Sequence, residues 1–103
     1  MRPIHIVQLD KARPAVLLTR ERVRSVASRV TVAPITTVIR GLSTEVEVGL
    51  SNGLDSFSVI SCDNIATVPK DMVGRHIGYL LADQELALTE AIQIGRASCR
   101  ERV

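Results

Sequence analysis

The sequence predicts a mainly β fold, a small and partly open β-barrel closed by one C-terminal helix. Three observations lead there. Short runs rich in Val, Ile and Thr recur through residues 4–81, turn residues interrupt them at close intervals, and helical periodicity appears once, after Asp83. Short strands at close spacing bury enough apolar surface when the sheet curls on itself and a helix caps the open side. A chain of 103 residues holds one domain with one small core.

Each element has its own signal. Residues 4–9 form a first strand, 10–13 a loop, and 14–19 a second strand with Pro14 at its first position, where a missing N–H is tolerated. The polar, Arg-rich stretch 19–28 reads as a loop or a single helical turn. Residues 29–36 alternate as a third strand, and Pro34 near its end predicts an edge or a bulge. After a turn at 41–43, Glu45-Val46-Glu47-Val48 alternates acid with valine, the pattern of a strand half exposed to water. Asn52-Gly53 supplies turn chemistry, 58–62 and 64–68 are strand segments around a bulge, 69–71 turns the chain, and 76–81 is the last strand. Asp83 is the expected N-cap of a helix from Gln84 to about Ile94, with Leu88, Ala91 and Ile92 on one face.

Composition narrows the class. Hydrophobic residues make up 46% and charged residues 23%, which excludes the polar, charge-rich make-up of a disordered chain. No run reaches the roughly 18 residues of a membrane span, and the first residues lack the apolar stretch of a secretion signal, so a cytoplasmic protein is expected. Residues 95–103 (GRASCRERV) break the preceding pattern and are expected to be an appended or read-through tail behind a natural domain of 1–94. Without them, thirteen cations against eleven acids become ten against ten. That neutrality conceals a split, because residues 1–40 hold eight Lys and Arg against two acids and residues 41–94 hold two against eight. The N-terminal half therefore favours an anionic partner such as nucleic acid. With Cys99 in the tail, Cys62 stands alone and no intrachain disulfide is expected.

Most catalytic patterns are missing. His5, His76, Cys62 and the scattered acids show no metal-ligand spacing, so no metal or other cofactor is expected. A lone His on a strand is more often structural than catalytic. No nucleophile elbow and no phosphate-cradling glycine loop appears. What remains is Arg13-Pro14 where the second strand begins and Thr36-Thr37 where the third ends, places where barrels display functional side chains. Taken alone, Arg13 reads as well as a solvated loop charge, and Thr36 as an ordinary strand residue.

Three segments in order carry a family resemblance: Arg13-Pro14-Ala15-Val16-Leu17-Leu18, then Val32-Ala33-Pro34-Ile35-Thr36-Thr37, then Ser58-Val59-Ile60-Ser61-Cys62-Asp63-Asn64-Ile65-Ala66-Thr67-Val68. Together they resemble the MazF/PemK toxins, in particular the short mycobacterial members, over about residues 3–94. The resemblance implies an SH3-like barrel with a C-terminal helix, a homodimer, and metal-independent cleavage of single-stranded RNA at short preferred sequences, held off by a cognate MazE-like antitoxin. It assigns catalysis to Arg13 and Thr36. Thr37, Lys11 and Arg20 are the accompanying candidates for substrate binding. Arg suits such chemistry, since its guanidinium presents paired donors to phosphate oxygens and a Thr hydroxyl adds one more bond to the developing charge. The loop before the second strand is shorter than in many members, and with Phe57 and Tyr79 the only Phe or Tyr and no Trp, base stacking contributes little. The rival within the same barrel is a CcdB-like toxin that binds DNA gyrase without catalysis; a noncatalytic binding barrel is a further alternative.

Overall fold

The computed structural model describes residues 2–19 and 26–101, with side chains through residue 93. The chain runs β1 (Pro3–Gln8), β2 (Ala12–Leu17), β3 (Arg29–Thr36), β4 (Glu45–Val48), β5 (Ser58–Ser61), β6 (Ala66–Pro69), β7 (Val73–Tyr79) and α1 (Ala82–Glu101), with single 3-10 turns at Leu50–Asn52, Cys62–Asn64 and Lys70–Met72. The strands pair antiparallel in the order β4-β5-β3-β2-β1-β7, and β6 adds to β3 beside that path. The sheet does not close on itself, and one helix covers it, as the sequence predicts.

The alternation of apolar residues explains where the core lies. On β2, Ala15 and Leu17 point to one side and Val16 to the other; on β3, Val30 and Val32 oppose Ala33 and Ile35. All seven are buried, so the central strands are covered on both faces. One face joins β1, β4 and β5 under α1, through Ile4, Val46, Val48, Ile60, Leu80, Leu88 and Ala91, with Ile92 packed alongside. The expected helix face is therefore the one that packs. Among the described residues the other face is built from strand residues, Val7, Ala15, Leu17, Val30 and Val32, backed by Leu9, Val68 and Val73.

Several boundaries differ from the sequence reading, each for a physical reason. β2 starts at Ala12, so Arg13 and Pro14 lie within the ladder opposite Val7 and Ile6. Pro34 is neither at an edge nor in a bulge. β3 pairs with β6 through Val32 and with β5 from Ile35, and Pro34 falls in the gap between those partners, where no donor is needed on that flank. β7 begins at Val73, ahead of the expected start, and Leu80 and Leu81 lie beyond its end. The segment 62–64 is a 3-10 turn where a bulge was expected. The helix begins one residue before Asp83, which adds its charge to the first turn; the Gln84 Oε1 accepts the Leu81 N–H at 2.9 Å in place of an Asp cap. It also continues past Ile94, since one interior Gly weakens a helix by only about 1 kcal/mol and no proline stops it. Of the stretch 19–28, residues 20–25 lie outside the described part, Arg20 among them.

Asn52, only 1% exposed, ties the helix to the sheet. Its Oδ1 accepts the Gly49 N–H at 3.0 Å, while its Nδ2 donates to the Tyr79 carbonyl at 2.9 Å and to Gln84 Oε1 at 2.6 Å. The backbones meet so closely that a Cβ on Gly78 would stand 1.9 Å from the Asn52 carbonyl oxygen, and one on Gly53, already at φ 85°, 2.0 Å from that of Ile77. Only glycine fits at either place. Asn52→Ala should lower unfolding stability by about 2–4 kcal/mol, because it strands buried partners as well as losing their bonds. A urea midpoint equal to that of the parent would refute this role.

Candidate active site

The β1–β2 hairpin turns through residues 9–11, closed by the Leu9 N–H on the Lys11 carbonyl at 3.1 Å. So tight a turn carries Asp10 back over the residue three places on. The Asp10 carboxylate takes both donors along one edge of the Arg13 guanidinium, Nε at 2.9 Å and Nη2 at 3.1 Å. Arg13 lies opposite Val7 on one side. On the other, β2 and β3 pair from Ala15 opposite Pro34, which sets the start of β2 beside the end of β3.

Both residues line one open cleft of about 560 Å³. Asp10 and Leu9 border it at the hairpin; Val38, Arg40 and Leu42 form the wall after β3; Glu45, Ser61, Asp63 and Asn64 complete it. Thr36 Oγ1 accepts the Val38 N–H at 3.1 Å, which leaves its O–H free to donate into the cleft. The wall itself is pinned by Glu45, whose carboxylate gathers the N–H groups of Arg40, Gly41 and Leu42. Thr44, buried, donates its hydroxyl to Asp63 at 2.8 Å.

The sequence-derived candidates thus divide. Arg13 and Thr36 share the cleft. Thr37 and Lys11 are exposed and do not line it; the Lys11 backbone N–H donates to Asp10 at 3.0 Å. Arg20 falls outside the described residues. Asp10 is the cleft side chain the sequence reading missed, although an acid three residues before the arginine of a tight hairpin was a usable signal. Arg2 donates to the Leu18 carbonyl at 2.7 Å and Arg29 to that of Thr67 at 3.1 Å, bonds that hold strands and loops together.

The electrostatics follow from the pair. Hydrogen bonding to Arg13, reinforced by its charge, holds the Asp10 carboxyl below its ordinary value of 3.8. Asp10 in turn raises the guanidinium above its usual range, so Arg13 stays charged. A charged Arg13 is suited to stabilising an anion. His5 and His76 stand side by side across β1 and β7, ring centroids 5.0 Å apart, with Tyr79 edge-on to His76 at 4.6 Å. They do not line the cleft. Among the described residues no group of His, Cys, Asp and Glu has the makings of a metal site.

Comparison with known proteins decides the family. Residues 6–95 match the model of the PemK-like, MazF-like toxins of type II toxin-antitoxin systems. The chain belongs to the MazF/PemK family. It is accordingly the toxin of a type II toxin–antitoxin pair and an endoribonuclease, and the CcdB-like reading is not favoured. The chain is 65% identical over 92 residues to Endoribonuclease MazF3 of Mycobacterium tuberculosis, covering 89% of each chain. Probable endoribonuclease MazF2 of the same organism is 37% identical over 87 residues, 84% of this chain and 82% of that one. The solved Mycobacterium tuberculosis toxin MazF-mt6 superposes with a TM-score of 0.91 at 61% identity, covering 93% of this chain and 97% of that one.

Cys62 borders the cleft wall beside Asp63, 8% exposed. Burial, with the Asp63 charge adding to it, pushes its thiol up to about 11. In a Cys99→Ser variant of this MazF-like toxin, iodoacetamide at pH 8 should leave Cys62 unlabelled until denaturant is added, since the thiolate is the reactive form. Rapid labelling of the native protein would contradict the buried, protonated thiol.

Proposed function

We propose that this toxin cuts single-stranded RNA at short preferred sequences by attack of a ribose 2′-OH on the adjacent phosphate, with Arg13, Thr36 and Asp10 as its catalytic residues. The observation that carries the reading is the meeting of Arg13 and Thr36 in one cleft, with Asp10 laid along one edge of the guanidinium. Asp10 occupies the Nε–Nη2 edge and leaves the Nη1–Nη2 edge to the phosphate oxygens. A fork held in place beforehand loses less freedom when it binds phosphate.

The chemistry then balances within the cleft. As the 2′ oxygen bonds to phosphorus and the P–O5′ bond breaks, negative charge grows on the non-bridging oxygens. Arg13 and the Thr36 hydroxyl meet that charge. Asp10, ionised well below neutral pH, takes the hydroxyl proton and, once protonated, returns it to the departing 5′ oxygen. No water or external reagent is consumed, and the products are a 2′,3′-cyclic phosphate and a 5′-hydroxyl. The class's cognate antitoxin, MazE-like, is the expected protein partner, and a cytoplasmic setting accords with the absence of a helix long and apolar enough to cross a membrane among the described residues. A solved mycobacterial endoribonuclease bound to its cognate antitoxin has the same fold, with a TM-score of 0.82 at 22% identity.

Arg13→Ala should abolish cleavage with the fold intact, because an exposed ion pair adds little to stability. Thr36→Ala should slow cleavage roughly 10- to 1,000-fold, the range for losing one such donor. Cleavage should persist in excess EDTA and stop when the ribose before the cut is replaced by 2′-deoxyribose. A deoxy site cut at a similar rate would place the nucleophile on water and overturn these roles. As pH falls, the rate should hold until pH drops below the ordinary carboxylate range, through the lowered value of Asp10.

We further propose that the chain works as a homodimer, since so small a domain buries little core alone. Sedimentation at micromolar concentration should give twice the mass of one chain. A monomer throughout would contradict it.

A further inference from the structure

We propose that Arg40 is a second phosphate-binding residue of the cleft, holding a phosphodiester that flanks the one being cut. The proposal rests on the ribonuclease reading above and adds to it. The cleft is lined by two cations, Arg13 and Arg40, and three acids, Asp10, Glu45 and Asp63. Unless its charges were already committed, such a lining would repel a polyanion.

Each acid is committed. Asp10 is held by Arg13, Asp63 accepts from the Thr44 hydroxyl, and Glu45 accepts from three successive backbone N–H groups. Arg40 is not. The one ion pair among the described residues is Arg13–Asp10, and the Arg40 guanidinium donates no hydrogen bond to any described residue. Its backbone is nonetheless fixed. The Arg40 N–H is clasped by both Glu45 oxygens at 3.2 and 3.1 Å, and Gly41 next to it turns the chain at φ 74°. An anchored Cα bearing an uncommitted guanidinium is what a phosphate arm needs. Only the side chain is left to order on binding.

The cleft, about 560 Å³, has the volume of sites that hold molecules of nucleotide size. Arg13 grips one phosphate at the hairpin side, and Arg40 faces the same space from the wall after β3. A single strand lying between them presents successive phosphates to both. Lys11 and Thr37, which do not line the cleft, are poorly placed for this work.

The test uses fully 2′-O-methylated RNA oligomers, which present phosphates but carry no nucleophile, so binding is read apart from cleavage. By fluorescence anisotropy, Arg40→Ala should weaken binding roughly 10-fold. It should also reduce the slope of log Kd against log salt by about 0.7, the signature of one lost single-strand phosphate contact. Arg40→Lys, keeping charge without the fork, should fall between. An oligomer with a neutral methylphosphonate at the flanking linkage should weaken the parent by the same factor and leave Arg40→Ala no weaker. Equal affinity and salt slope in Arg40→Ala, or losses that add at every linkage tried, would overturn the proposal. Thermal unfolding should not change, since the Glu45 bonds go to backbone. An all-ribose substrate left uncut by the parent would overturn the ribonuclease reading instead, while the binding series still decides Arg40.

Discussion

The antiparallel contact between β2 and β3 is the constraint on which the rest depends. Its residues are buried on both faces, so a slip of one position would exchange the side chains of two cores that pack against different neighbours. That lock fixes the register, and the register fixes the chemistry. Ala15 against Pro34 places the start of β2 beside the end of β3, and Arg13 and Thr36 are the residues found there. Polar side chains at the open end of a rigid ladder keep the spacing that the backbone beneath them sets.

Much of this was legible in the residues. β3 and β4 coincide with the alternating runs, because period-two burial is a property of the strand itself. The packed helix face at Leu88, Ala91 and Ile92 was legible for the matching reason at helical spacing. Two segments resisted. Pro14 and Pro34 both mark places where an N–H is dispensable, but proline cannot say whether the missing partner is solvent, an edge, or a change of neighbour within a continuous strand. At Pro34 it is the last of these, a fact of topology that local sequence does not record.

The site was readable in part for the same reason. Arg13 and Thr36 stood at strand termini and carried a family pattern. Asp10, Glu45 and Asn52 act through partners that folding brings near, which their local patterns do not name: a guanidinium across a tight turn, a run of backbone donors, and a carbonyl and an amide from two other elements. Counting Arg by sequence half does not record that Arg2 and Arg29 also brace the fold, donating to carbonyls of neighbouring segments.

The pairing of Arg13 with Asp10 bears on how such an enzyme meets the crowd of nucleic acids around it. A site with bare arginines would draw every polyanion by long-range attraction, and its encounters would be fast and indiscriminate. Here Asp10 offsets the Arg13 charge at short range, so this pair adds little steering of its own to an encounter with bulk RNA. Sequences are then sorted by how long they stay rather than how quickly they arrive. If the toxin cuts at preferred sequences as proposed, slow capture followed by selective retention would keep the enzyme from being titrated by the RNA it does not cut.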